Sequence, residues 1–243
     1  MYILEIKNLK KIYHTKEKEI LAVDNFSLNI KQGEFIAIVG PSGCGKSTIL
    51  EILCNLEKKS EGKIKYNKNL KFGYMLQSDN LFEWRTIYKN CLLGLEIQNK
   101  RNNNIDNLLK TYGLNDFKNS YPHELSGGMR QRVSLIRTLA ISPDILLLDE
   151  PFSALDAQTR LAVSDDVYKI IKKEKITTIM VTHDISEAIS MADKVIVLTK
   201  RPSKIKNIYE INLNKKLSPI DKRKEKMFPY YYEKIWKDID YHV

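Results

Sequence analysis

The chain has 243 residues and is basic, with 40 Lys or Arg against 30 Asp or Glu for a formal net charge of +10, and 43% of its residues are hydrophobic. That hydrophobic share, spread along the length, excludes a disordered chain. The longest apolar runs, Phe35 to Val39 and Ile145 to Leu148, stop far short of the about 18 to 20 residues that cross a membrane.

In chain order, the first 33 residues alternate (Tyr2, Leu4, Ile6, then Phe26, Leu28, Ile30), which predicts antiparallel strands at one edge. Phe35 to Val39 opens a series of short Ile-, Val- and Leu-rich runs, continued by Ile145 to Leu148, Thr178 to Val181 and Val195 to Leu198. Such runs suit parallel strands covered on both faces, so the expected fold class is α/β. Amphipathic segments start near Gly45, Asp156 and Asp184, the last two with an Asp able to cap a first turn. From Gln77 to Ala140 helical patterns take over, as in Asn104 to Tyr112 and Met129 to Leu139, and residues 78–140 are expected to form an inserted helical subdomain. Lys100 to Asn104 reads as a polar loop.

Residues 200–243 hold 12 basic and 6 acidic residues, so the charge excess is mostly a property of the tail. A basic C-terminal extension over 203–243 is expected, ending in a charged helix with Tyr230, Tyr231, Ile235 and Ile239 as an apolar stripe. Its alternating charges fit a solvated helix better than contact with anionic lipid, and no nucleic-acid partner is expected. Cys44, Cys54 and Cys91 lack metal-ligand or framework spacing, and no basic segment followed by an apolar one opens the chain. The expectation is a reducing cytoplasmic compartment, without zinc, disulfides or secretion.

The strongest local signal is Gly40-Pro41-Ser42-Gly43-Cys44-Gly45-Lys46-Ser47, which matches G-x-x-x-x-G-K-S directly after a strand and before a helical pattern. Glycines let successive backbone N–H groups turn onto phosphate oxygens, and the following helix adds the positive end of its dipole. Lys46 supplies a point charge for the β and γ phosphates and Ser47 a hydroxyl for Mg²⁺. The expected nucleotide-binding set runs from Gly40 through Thr48, and Cys44 within it predicts that a thiol reagent blocks nucleotide binding and that bound nucleotide protects. At the end of Ile145-Leu146-Leu147-Leu148, Asp149 is the expected metal-side carboxylate, and Glu150 beside it is free to polarise an attacking water. Leu125-Ser126-Gly127-Gly128-Met129-Arg130-Gln131-Arg132 forms a second capped, glycine-bearing helix start. One nucleotide in one chain cannot easily use both, whereas a head-to-tail dimer gives the second a purpose.

Together these motifs resemble the ATP-binding subunit of an ABC transporter, over about Leu4 to Arg201. The resemblance implies a single P-loop NTPase domain with a RecA-like core and a mainly parallel sheet, an N-terminal antiparallel β edge and the inserted helical subdomain carrying the signature loop. It implies that Tyr13 stacks on adenine, that Gln77 touches Mg²⁺ and the lytic water, and that Ser126, Gly127 and Gly128 close over the partner's γ phosphate. In the same way Ser153 to Asp156 resembles the loop passing between the two nucleotide sites, and His183 the switch histidine at the γ phosphate. Glu150, His183, Lys46 and Gln77 are then the catalytic set, and Ser47, Gln77 and Asp149 the metal set. His14, His123 and His242 are assigned no chemistry.

The further implications are a homodimer on the cytoplasmic face of the membrane, held by permease subunits docking near Gln77 to Arg85, and a separate solute-binding protein. Leu81-Phe82-Glu83-Trp84-Arg85-Thr86 offers an aromatic pair with an adjacent Arg as that docking surface, with Trp84 filling the insert's own core as the alternative. Asn90 to Glu96 and Val195 to Pro202 are similar to importers of the nitrate, sulfonate and taurine type, a group that extends to bicarbonate and thiamine precursors. An exporter ATPase or a soluble non-transport ABC ATPase are the alternatives. Only 29 residues separate Ser47 from Gln77, which implies a trimmed β arm, and an end at Val243 leaves out the regulatory barrel of many sugar importers.

Overall fold

The computed structural model describes residues 2–100 and 104–239, so the middle of the Lys100 to Asn104 loop and His242 lie outside the described residues. β1 (Tyr2–His14) and β2 (Glu19–Lys31) pair antiparallel, with Leu4 opposite Ile30, Ile6 opposite Leu28 and Leu9 opposite Phe26. The expected alternation is therefore the register itself. β3 (Phe35–Val39) enters a second sheet and leads into α1 (Lys46–Leu53). β4 (Glu61–Tyr66) returns to the other side of β1, giving a three-stranded sheet in the order β2-β1-β4. The sequence pattern does not announce β4: only Ile64 and Tyr66 alternate with lysines, and their places opposite Ile6 and Leu4 make the strand.

The rest follows as β5 (Phe72–Met75), α2 (Ile87–Ile97), α3 (Ile105–Thr111), α4 (Gly127–Leu139), β6 (Ile145–Asp149), α5 (Ala157–Glu174), β7 (Thr177–Val181), α6 (Ile185–Met191), β8 (Lys194–Leu198), β9 (Ile205–Glu210), α7 (Pro219–Lys222) and α8 (Phe228–Asp238). Asp156 and Asp184 cap α5 and α6 as their positions predict, each accepting from the amides two and three residues on. The main sheet has the order β5-β6-β7-β3-β8-β9; its first five strands run parallel and β9 closes the edge antiparallel. Its central strands are buried on both faces, and alternate residues feed two cores. Ala37, Leu146, Met180 and Val195 pack toward α2–α6 and α8. Ile36, Ile145, Ile179 and Ile196 pack toward α1 and the three-stranded sheet.

The basic C-terminal stretch is built into this frame and does not stand off as an extension. β9 pairs with β8 from Lys194 opposite Glu210 to Leu198 opposite Ile205. Phe228, Tyr231, Ile235 and Ile239 are buried in the main core, whereas Tyr230, expected on the apolar stripe, points outward. Lys222 is buried as well, its ammonium donating to Tyr168 Oη at 2.7 Å and to the Ser190 carbonyl at 3.0 Å, and burial pulls its pKa down to about 8. A removable tail would tolerate changes that this packing does not. Ile235→Ala should cost about 2–5 kcal/mol in urea unfolding, and a chain ending at Ser203 should lose its cooperative transition.

Candidate nucleotide-binding site

The strand order lines up the carboxyl ends of β5, β6, β7 and β3, so the loops beginning at Leu76, Glu150, Thr182 and Gly40 share one edge. After β3, Gly45 takes φ 113° as the N-cap of α1, and a Cβ there would meet the Ala22 carbonyl and Ser203 Oγ at 3.3 Å. Both the conformation and the close approach call for glycine. Lys46 is buried, and its ammonium donates to the carbonyls of Gly40 at 2.9 Å and Pro41 at 3.0 Å, drawing the loop around it. Cys44 contributes backbone only. Its thiol is fully buried, and burial pushes its pKa up, so the expected blockade by a thiol reagent does not fit this geometry.

Around the loop the candidate groups converge. Ser47 Oγ donates to Asp149 Oδ1 at 3.1 Å, and Gln77 Nε2 donates to Glu150 Oε2 at 3.1 Å. His183 Nδ1 lies 3.2 Å from that same Glu150 oxygen. Glu150 is held at φ 44°, a left-handed backbone uncommon outside glycine, with its N–H donating to the Val181 carbonyl. Burial raises the Asp149 pKa, opposed by the hydroxyls of Ser47 and Tyr74. Tyr74, whose Oη donates to Asp149 Oδ2 at 3.2 Å, is absent from the expected set. Its position on the strand next to β6, where it pairs with Leu147, is the signal that could have found it.

Tyr13 lies at the margin: Tyr13 Oη is 3.3 Å from Thr48 Oγ1, and the Lys11 ammonium sits 4.5 Å from the ring centroid. Lys11 is itself fixed by Glu57 at 2.7 Å and the Lys58 carbonyl at 2.8 Å. Ser47 and Asp149 present hard oxygen ligands side by side. Among the described residues no group of three or more His, Cys, Asp or Glu offers a complete metal cage. That donor set suits Mg²⁺, which binds through one or two protein oxygens, phosphate and water.

Ser126, Gly127 and Gly128 form a separate assembly. Ser126 caps α4, accepting from Met129 N at 3.4 Å, and a Cβ on Gly128 would meet Thr159 Cγ2 at 2.7 Å. The α4 start therefore sits against the Leu155 to Thr159 segment, where Asp156 spends its carboxylate capping α5. Among the described residues no hydrogen bond joins Ser126 to Gly128 with the cradle.

The loop after Gln77 is clamped to α4. Arg130 grips Asp79 at 2.7 Å and Glu83 at 2.8 Å, and Arg137 donates to the Asn80 carbonyl at 2.7 Å. Buried Asn90 pairs with both the N–H and the carbonyl of Phe82 and also bonds the Arg85 and Thr86 carbonyls, which turns the loop outward. Trp84 is 75% exposed and stacked on Phe82 with centroids 4.8 Å apart, so it does not fill the insert's core. Arg85, expected as an interface anchor, instead braces the loop through a forked pair with Glu96 and a bond to the Lys89 carbonyl.

Comparison with known proteins agrees with this geometry. Residues 23–153 match the ABC transporter family. An uncharacterised ABC transporter ATP-binding protein of Methanocaldococcus jannaschii is 43% identical over 222 residues, 87% of this chain and 83% of the relative. The aliphatic sulfonates import ATP-binding protein SsuB of Bacillus subtilis is 37% identical over 211 residues, 84% of this chain and 83% of the relative. A dimeric ATP-binding cassette solved in a post-hydrolysis state with ADP and Pi superposes with a TM-score of 0.75 at 32% identity, covering 86% of this chain and 99% of that one. The doubly covered parallel sheet with its antiparallel β edge is thus a P-loop NTPase fold, and the chain belongs to the ABC transporter family, whose ATP-binding cassettes are ATPases.

Proposed function

We propose that this chain is the ATP-hydrolysing motor of an importer, working as a head-to-tail homodimer on the cytoplasmic face of the membrane. The observation that carries the reading is the division of the site. The cradle, Asp149, Glu150, Gln77 and His183 converge at one sheet edge, whereas the capped start of α4 bonds to none of them. A second copy would bring that helix start over the γ phosphate, as the dimeric cassette of the solved relative encourages.

In this reading Gly40 to Thr48 hold the phosphates through backbone N–H groups and Lys46, and Tyr13 supports the adenine. Mg²⁺, held by Ser47 and Asp149 with Gln77 nearby, would neutralise charge on the β and γ oxygens. Glu150 takes the proton of the attacking water, and His183 and Gln77, both already at its carboxylate, hold it in line. Ser126, Gly127 and Gly128 of one copy, with Asp156 behind them, complete the other copy's site.

Among the described residues no helix is long and apolar enough to cross a membrane, and separate permease subunits are the proposed membrane partners. Trp84, exposed and stacked on half-buried Phe82, is the proposed docking surface, because its place beside the Gln77 loop would link permease movement to Glu150. The similarity to SsuB favours a sulfonate-like small anion delivered by a separate solute-binding protein.

Glu150→Gln should bind ATP with parental affinity, lose at least about 100-fold in kcat and accumulate as an ATP-bound dimer by size exclusion with light scattering. Hydrolysis at the parental rate would remove Glu150 as the base. Trp84→Glu should abolish co-purification with a polytopic membrane protein; retention of that partner would place the docking surface elsewhere.

A further inference from the structure

Behind His183 lies a buried carboxylate that the site as described does not use. Glu187, on the first turn of α6, is 3% exposed. Its Oε2 accepts from Thr182 Oγ1 at 2.8 Å, and that same hydroxyl accepts from Asp184 N at 3.0 Å. The residues on either side of His183 are therefore fixed through Glu187. Its other oxygen, Oε1, faces Arg160 on α5, with Nε 3.8 Å away, while Arg160 Nη1 lies 3.7 Å from Asp184 Oδ2. Arg160 reaches the opposite way as well, donating from Nη2 to the Leu155 carbonyl at 2.9 Å. Leu155 belongs to the loop Ser153 to Asp156, whose start is tied to the Glu150 carbonyl by Ser153 Oγ at 3.0 Å.

These contacts close a ring. It runs from the Glu150 side chain to His183, through Thr182 to Glu187, across to Arg160, and back through Leu155 and Ser153 to the Glu150 backbone. One link is loose: Arg160 Nε is buried without a hydrogen-bond partner and stands just beyond bonding distance of Glu187. A buried N–H left unpaired raises the free energy of that arrangement, so a small shift of the loop that shortens the link is favoured.

We propose that Arg160 and Glu187 are positioning residues that connect the loop Ser153 to Asp156 with the segment carrying His183, so that contact of this loop with a second copy sets His183 against Glu150 in its own chain. The inference rests on the head-to-tail dimer proposed above and adds to it the route by which dimer closure reaches the hydrolytic face. Among the described residues no hydrogen bond joins Arg160 or Glu187 to the cradle. Their effect belongs on the turnover step, and physical coupling along such a route is measured by a double-mutant cycle.

Burial holds the Glu187 pKa up at about 7, with Asp184 raising it further and Thr182, Arg160 and His183 opposing. A carboxyl whose folded pKa exceeds its unfolded value is happiest protonated. The parent chain therefore loses stability as pH rises from about 5 to 7 and regains none above. Glu187→Gln lacks that loss.

The test uses the full chain and Mg-ATP. Arg160→Gln and Glu187→Gln should each lower kcat about tenfold with KM and fluorescent-nucleotide affinity within about twofold of the parent, Arg160→Lys should recover part of the rate, and the double variant should be no slower than the slower single. At pH 8, Glu187→Gln should also melt above the parent while turning over more slowly. Unchanged kcat in both singles, or losses that multiply in the double, would overturn the proposal. Should parental hydrolysis itself prove independent of protein concentration and of Ser126→Ala, the dimer reading fails and takes this inference with it; a concentration-dependent parent with inert Arg160 and Glu187 variants refutes the inference alone.

Discussion

Parallel strands buried on both faces carry a constraint that reaches every functional group of this protein. β5, β6, β7, β3 and β8 run parallel, covered by helices on one face and by α1 with the three-stranded sheet on the other, so β5, β6, β7 and β3 all end in the same direction. Their carboxyl ends then present a row of loops on one edge, where the start of α1 leaves its first amides free. The cradle, Asp149, Glu150, Gln77 and His183 come together for that reason, although they are spread over more than half the chain.

At that edge two kinds of group are kept apart. Lys46, Asp149 and Cys44 are buried and shaped by the interior; the lysine is satisfied by carbonyls and the aspartate by hydroxyls, while burial dominates the thiol. Gln77, Glu150 and His183 stand at the surface and meet at one carboxylate oxygen. In the proposed reading a phosphate arriving from solvent would be held by the loop around Lys46 and would meet Gln77, Glu150 and His183 there. The arrangement suits a reaction in which positioning and charge neutralisation do most of the work. The clamps of Arg130 and Arg137 join the loop after Gln77 to α4, so the aromatic stack and the glutamine are braced on the same helix.

Much of this was legible in the residues. Phe35 to Val39, Ile145 to Leu148 and Thr178 to Val181 read as strands because burial on both faces demands unbroken β-branched and leucine runs. Asp156 and Asp184 read as helix starts because a capping carboxylate is a local matter. β4 and β9 did not announce themselves: each lies at a sheet edge with one face toward water, so lysine and asparagine interrupt the apolar signal. The tail looked like an extension because its charge is conspicuous in one dimension; the stripe of Tyr231, Ile235 and Ile239 was legible as a helix face, but its docking with Phe228 on the main core was not.

Sequence alone determined the phosphate-loop motif, the acid pair after β6 and the second glycine-bearing helix start, because each depends on neighbours within a few residues and on backbone geometry those neighbours set, whereas the histidine after β7 was picked out by the family resemblance. It could not determine that Tyr74 reaches Asp149, that Cys44 turns inward, that Trp84 turns outward while Arg85 folds back on Glu96, or that Arg160 bridges two loops. Those outcomes depend on which strand lies beside which and on how deeply each side chain is buried. Both are properties of the packed sheet and helices, and no stretch of chain carries them by itself.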